Sequence, residues 1–147
     1  MIIIAHNIRS LHNVGSIFRS ADAFGVEKLY LTGFTGVPPR SEISKTALGS
    51  ENRVVWERVE DIQPLISKLR SDGYSLIGLE NGENIKSINE TIFDKPVALV
   101  LGNEVEGIEA EVREKLDLLV EIPMPGQKRS LNVSVAAGIA MFVLSGK

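Results

Sequence analysis

Six short apolar runs, Ile2 to Ala5, Lys28 to Leu31, Val54 to Trp56, Ser75 to Leu79, Val97 to Leu101 and Leu118 to Ile122, punctuate the chain, each bordered by glycine, proline or charge. Strands covered on both faces read this way, as near-continuous hydrophobic runs rather than alternating ones. Between them lie helical stripes. Asn13 to Phe24 aligns Val14, Ile17, Phe18, Ala21 and Phe24 and stops at Gly25, while Asp61 to Ser71 aligns Ile62, Leu65, Ile66 and Leu69 before Gly73. Glu109 to Leu116 predicts a shorter, charged helix. This alternation predicts an α/β domain of three layers, a mostly parallel sheet with helices on both faces and right-handed crossovers.

The last third of the chain departs from that regularity. Leu119-Val-Glu-Ile-Pro-Met-Pro-Gly-Gln-Lys-Arg129 runs straight into Ser130-Leu-Asn-Val-Ser-Val-Ala-Ala-Gly138. Polar side chains and a proline-stiffened loop therefore stand against a helix, Asn132 to Leu144, that is apolar nearly all round and must be covered on more than one side. A subunit interface is one such cover. The segment from Gly33 to Arg53 is long, carries Pro38-Pro39 and predicts a short helix from Ser41 to Leu48; loops of that length in compact domains are often lids or binding loops.

Composition narrows the function classes. With 147 residues, 44% of them hydrophobic, the chain is of single-domain size and can bury a core without a covalent staple, so one domain over residues 1–147 is expected. No cysteine is present, which excludes disulfides, thiolate metal sites and cysteine nucleophiles and suits a reducing cytosol. Met1 to Ala5 lacks the basic leader and apolar length of a signal peptide, and no run approaches ~18 apolar residues, so no membrane partner and a cytoplasmic location are expected. The formal charge of −3 argues against a general basic coat for nucleic acid. Any RNA contact is expected to be local and to fall in the N-terminal half, away from the acidic stretch 103–121.

Several chemistries drop out on spacing. No two glycines are separated by a single residue, which removes the dinucleotide fingerprint and the glycine-rich loop of Rossmann-type methyltransferases. Gly102 and Gly107 have P-loop spacing, but Ile108 and Glu109 stand where a lysine and a hydroxyl residue are required. No glycine-flanked serine elbow exists, and His6 and His12, six apart, form no recognised metal pair, so no metal is expected. What remains are loops after Leu79, Leu101 and Ile122, at the strand ends where open α/β sheets bind ligands, and these read either as ordinary exit turns or as a ligand site.

Three segments decide between those readings. Asn13-Val-Gly-Ser-Ile-Phe-Arg19, Leu99-Val-Leu-Gly-Asn-Glu104 and Leu119 to Gly138, in that order, resemble the three motifs of the SpoU/TrmH-type RNA ribose methyltransferases of the SPOUT superfamily. The resemblance implies S-adenosylmethionine bound in a bent form by the last two motifs and a C-terminal trefoil knot. It carries the cofactor site onto Leu79, Gly102, Ile122, Met124, Ser130 and Leu131, and the catalytic set onto Asn13, Arg19, Glu104, Ser130 and Asn132. It further implies methyl transfer to a ribose 2′-hydroxyl of tRNA or rRNA by a homodimer whose sites use groups from both subunits. No appended RNA-binding domain is seen in the sequence, which leaves room for a helper protein in RNA capture. A non-catalytic adenosine-ligand or RNA-binding module of the same fold, and a base-methylating SPOUT enzyme, are the alternatives.

Each mapped residue also has a plainer reading. Arg19 lies off the apolar stripe of its helix and faces solvent or a partner subunit; because a guanidinium keeps its proton above pH ~12, it suits a phosphate and oxyanion clamp better than a base. Asn13 and Asn132 each fit a helix N-cap, and Ser130 fits a hydroxyl that satisfies loop backbone. Under the enzymatic reading Asn13 and Ser130 orient the hydroxyl, while Asn132 and Glu104 position loops or relay the proton.

Overall fold

A computed structural model describes residues 1–147. The elements are β1 (Ile2–His6), α1 (Leu11–Ala23), β2 (Lys28–Thr32), α2 (Ser41–Ala47), β3 (Trp56–Val59), α3 (Ile62–Ser71), β4 (Ser75–Leu79), β5 (Lys86–Ser87), β6 (Val97–Leu101), α4 (Ala110–Arg113), β7 (Leu118–Glu121) and α5 (Val133–Ser145). They build one seven-stranded sheet in the order β3-β2-β1-β6-β4-β7-β5, with every pairing parallel.

Two cores sandwich that sheet because successive side chains of a strand point to opposite faces. Ile3, Ala5, Leu29, Leu31, Leu99 and Leu101 pack with α1, α2 and α5, whereas Ile2, Ile4, Tyr30, Ala98 and Val100 pack with α3 and α4. Each fully buried aliphatic side chain of this kind contributes roughly 1.5–3 kcal/mol. Phe18, wholly buried on α1, sets its ring edge-on to Trp56 at 6.3 Å and ties the first helix to the sheet edge.

Several local expectations are corrected. Helix α1 starts two residues before Asn13: Ser10 is its N-cap and accepts from the Asn13 amide at 3.2 Å, so Asn13 is a residue of the first turn and its side chain is released for another role. The expected strand at Val54 to Trp56 sits at Trp56–Val59 instead: the ladder with β2 sets the limits, pairing Leu29 with Trp56 through to Thr32 with Val59, and it takes in the exposed charged residues Glu57 and Arg58 that an apolar triplet does not mark. Glu109 to Leu116 condenses to the single turn of α4. Strand β5 has two residues, too few for any periodicity to announce it. Asn132 does cap α5, its Oδ1 accepting from the Ser134 amide at 2.9 Å, and α2 lies within the expected span.

Candidate active site at the carboxyl ends of the central strands

Pairing of β1 with β6 sets Ala5 beside Leu101, so the loops leaving these strands emerge side by side. The loop after β6 is stiffened from within: Asn103 and Gly107 exchange backbone hydrogen bonds at 3.0 Å, and Asn103 Oδ1 accepts from the Val105 and Glu106 amides. Gly102 is required at its start. A Cβ there would lie 2.4 Å from the Gly107 carbonyl carbon and 2.6 Å from the Ile108 nitrogen, both backbone atoms that cannot step aside. Glu80 backs the far end of the loop, accepting from the Ile108 amide at 2.9 Å.

Glu104 is the hub between this loop and α1. Its Oε2 accepts from the Arg9 amide at 2.9 Å, and its Oε1 accepts from the Ser10 amide at 3.0 Å and from Asn13 Nδ2 at 3.1 Å. Burial on its own pushes the carboxyl up, but the Ser10 and Arg9 amides and the Asn13 side chain outweigh it and hold Glu104 below the usual carboxylate range. The amides lie at the N-terminus of α1, where a helix favours negative charge. Asn132 closes the network by donating from Nδ2 to Asn13 Oδ1 at 3.2 Å.

Beside the hub opens a cavity of about 220 Å³. Leu79, Leu101, Ile122, Met124, Leu131, Val133 and Ala136 supply apolar walls, and Glu80, Asn81, Asn103, Glu104 and Ser130 supply polar groups. The loop from Ile122 to Leu131 makes no backbone-to-backbone hydrogen bond, and the Arg129 carbonyl alone is engaged, by Asn81 Nδ2 at 2.9 Å. Peptide groups along one wall are thus free for a ligand.

All six positions singled out for a cofactor, Leu79, Gly102, Ile122, Met124, Ser130 and Leu131, border this one cavity, as does Glu104. Asn13, Glu104 and Asn132 are joined by direct hydrogen bonds. Arg19 stands apart: it is exposed on α1 and has no polar partner within the chain. The sequence reading overlooked a second polar cluster that braces the same loop. His6, nearly buried, bonds Thr32 Oγ1 through Nδ1 at 2.8 Å and Glu109 through Nε2 at 2.7 Å; Asn7 Nδ2 joins Glu109 at 2.9 Å, and Asn103 Nδ2 donates to the Asn7 carbonyl at 2.8 Å. The one available signal was a histidine and an asparagine directly after an apolar run.

The fold and cavity define a parallel α/β domain with a nucleoside-sized cleft outside its strand ends, held by a carboxylate at a helix start. The SpoU rRNA methylase family matches residues 1–142, and the chain belongs to that family. It is 34% identical over 142 residues to a 23S rRNA (guanosine-2′-O-)-methyltransferase of Xylella fastidiosa, covering 97% of this chain and 57% of the relative. To a tRNA (guanosine(18)-2′-O)-methyltransferase of Aquifex aeolicus it is 32% identical over 143 residues, covering 97% and 67%. Among solved structures, an AdoMet-bound rRNA methyltransferase of Sinorhizobium meliloti superimposes with a TM-score of 0.90 at 28% identity, over 97% of this chain and 54% of that one. The chain spans a little over half the length of most of these relatives. No helix is long and apolar enough to cross a membrane.

Proposed function

We propose that this chain binds S-adenosylmethionine in the cavity between β4, β6 and β7 and transfers its methyl group to a ribose 2′-hydroxyl of tRNA or rRNA. The observation that carries the reading is the hydrogen-bonded set Asn13, Glu104 and Asn132, anchored through Glu104 to a cleft lined by the six positions that the family resemblance marks for the cofactor. The residues fit the donor. Leu79, Ile122, Met124 and Leu131 offer apolar surface for a purine, while the free peptide groups from Ile122 to Leu131 and the Ser130 hydroxyl offer polar contacts. The relatives named above are ribose methyltransferases by name, and one structural neighbour carries AdoMet.

When bound, S-adenosylmethionine supplies an electrophilic methyl on sulfur, with a thioether left behind. The protein's part is alignment, and holding two reactants in a near-attack pair is worth about 7–11 kcal/mol in favourable models. Glu104, with both oxygens occupied by donors, holds the β6 loop against the start of α1 and so sets the distance between cleft and Asn13. Asn13 and Ser130 orient the ribose hydroxyl, whose proton leaves to solvent water as the oxygen–methyl bond forms and the methyl–sulfur bond breaks; Asn132 orients Asn13, and Arg19 grips the neighbouring phosphate and the 2′-oxygen as it loses its proton, through its planar fork.

We read Arg19 as serving the partner's site. Val135, Ile139 and Phe142 form one exposed stripe along α5, with Phe142 at 66% exposure, and α5 packs on α1 where Gly138 meets Ser20, the neighbour of Arg19. A second copy covering the stripe would meet Arg19. We also infer the trefoil knot, the last segment passing through the loop between β4 and β6: Asn81 fastens the Arg129 carbonyl, and the Lys147 ammonium donates to the Asn89 and Thr91 carbonyls at 3.2 and 2.9 Å. The proposal extends to a single SPOUT domain working in the cytoplasm.

Calorimetry with S-adenosylmethionine and S-adenosylhomocysteine tests the donor site, and mapping ribose methylation in RNA from cells with and without the protein tests the acceptor. Saturable uptake and a lost 2′-O-methyl mark are expected. Absence of uptake by folded protein would remove the enzymatic reading, and light scattering that finds a monomer at micromolar concentration would remove the dimer.

A further inference from the structure

Two loops beside the donor cavity are fused into one rigid bracket. Thr35, fully buried on the loop after β2, accepts from the Ile8 amide at 3.0 Å and donates to the Ala5 carbonyl at 2.9 Å. The Phe34 amide donates to Asn7 Oδ1 at 3.1 Å, and Gly33 approaches so closely that a Cβ on it would lie 1.9 Å from that oxygen. Both Asn7 and Gly33 hold positive φ, 54° and 63°, the left-handed turn conformation that asparagine and glycine adopt most readily. The bracket is joined to the cavity loop three times, by Asn103 to the Asn7 carbonyl and by the Arg9 and Ser10 amides to Glu104.

Two recognition groups without partners stand on this bracket. Phe34 is 59% exposed and stacks on no other aromatic ring, and Arg9 is exposed with its guanidinium unpaired, although its backbone is pinned to Glu104. A ring so displayed, on a loop hydrogen-bonded through Asn7 to the loop that carries an unpaired cation two residues further on, matches a nucleotide: the face takes a base and the guanidinium takes a phosphate. A protein partner fits less well, because interface cores need contiguous apolar surface and the exposed apolar stripe lies on α5 instead.

We propose that Phe34 and Arg9 form a nucleotide-receiving rim, Phe34 stacking an unpaired base of the substrate RNA and Arg9 holding an adjacent phosphate. This inference rests on the reading of the chain as an RNA methyltransferase. A phenyl face carries no donor or acceptor code, so the rim captures single-stranded RNA without choosing the base.

The probes are a fluorescein-labelled single-stranded oligoadenylate of about a dozen nucleotides and its abasic ribose-phosphate counterpart, titrated by anisotropy in the presence of S-adenosylhomocysteine. The wild type is expected to prefer oligoadenylate. Phe34→Ala should weaken oligoadenylate binding about tenfold or more while leaving the abasic strand unchanged, and Phe34→Trp should restore it. Arg9→Gln should weaken both probes and reduce the slope of log affinity against log salt by about 0.7. Equal binding of the two probes by the wild type, no binding of oligoadenylate, or undiminished binding by Phe34→Ala overturns the rim. Calorimetry with S-adenosylhomocysteine separates the two failures: an intact donor site with an unaffected Phe34→Ala sinks the rim alone, whereas a wild type that takes up no donor sinks the methyltransferase reading.

Discussion

Asn132 Nδ2 donates to Asn13 Oδ1 at 3.2 Å across 119 positions of sequence, while the Asn132 Oδ1 caps α5 through the Ser134 amide. One side chain thus performs two separable tasks, capping the start of one helix and orienting a residue of another. The first turns of α1 and α5 meet at this contact, and Glu104 completes it from the β6 loop.

The two tasks of Asn132 can be parted by substitution. Asn132→Asp keeps an excellent cap but loses the donor, so thermal unfolding should stay near wild type while methyl transfer falls roughly 10- to 100-fold through misorientation. Asn132→Ala loses both and should also be about 1 kcal/mol less stable. Calorimetric unfolding alongside turnover checks the pair; equal turnover in wild type and Asn132→Asp would show that the contact does not serve catalysis.

Glu104→Gln replaces one acceptor oxygen by an amide that faces donors. Leaving such a donor unmatched costs about 1–3 kcal/mol, which for a domain of this size lowers Tm by about 2–10 °C. The folded carboxyl lies below its unfolded value, about 4.3, so its stabilisation is complete above that pH and is lost as pH falls through the folded value. The Tm gap between wild type and Glu104→Gln should accordingly stay constant from neutral pH down to about 5 and close in stronger acid. A gap that widens on acidification would contradict the clamp.

Gly102→Ala places a methyl within 2.4 Å of the Gly107 backbone. The β6 loop must shift, at a cost of about 1–3 kcal/mol, and the cavity wall shifts with it. Uptake of S-adenosylhomocysteine by calorimetry should fall at least tenfold in a protein that still folds, whereas Gly126→Ala, where an added Cβ meets nothing within 4 Å, should bind as wild type.

Shared sites in a homodimer predict complementation. Arg19→Ala and Asn132→Asp should each be poorly active alone, yet after co-refolding regain about a quarter of wild-type turnover, since half the dimers are mixed and each mixed dimer holds one complete site. No recovery in the mixture would assign Arg19 to its own subunit's site.

Much of this architecture is legible in local pattern. The stripe Val14, Ile17, Phe18 and Ala21 is the buried face of α1, and Ile62, Leu65, Ile66 and Leu69 that of α3, because a period of 3.6 residues is a property of neighbouring side chains alone. Edges were less legible: β3 carries one half-buried apolar residue per face, Trp56 and Val59, with the charged pair Glu57 and Arg58 between them, and β5 is two residues long. At the site, the cavity positions Gly102, Ile122, Met124, Ser130 and Leu131 stand in recognisable motifs and Leu79 ends an apolar run, whereas His6, Asn7 and Glu109 bear no pattern of their own and become a unit only through contacts spanning up to 103 positions.

The amino-acid order alone determined a layered α/β chain, the cap at Asn132 and the three segments that mark its family, since periodicity, capping and motif spacing are written in adjacent residues. Only the tertiary structure decided that Glu104 occupies the amides of Arg9 and Ser10, that Asn13 lies in the first turn of α1 rather than at its cap, and that Phe34 stands exposed on a loop tied to Asn7. Hydrogen bonds act over about 3 Å. Which residues come that close depends on β6 lying against β1, a pairing settled by the burial of the whole sheet rather than by any stretch of the chain.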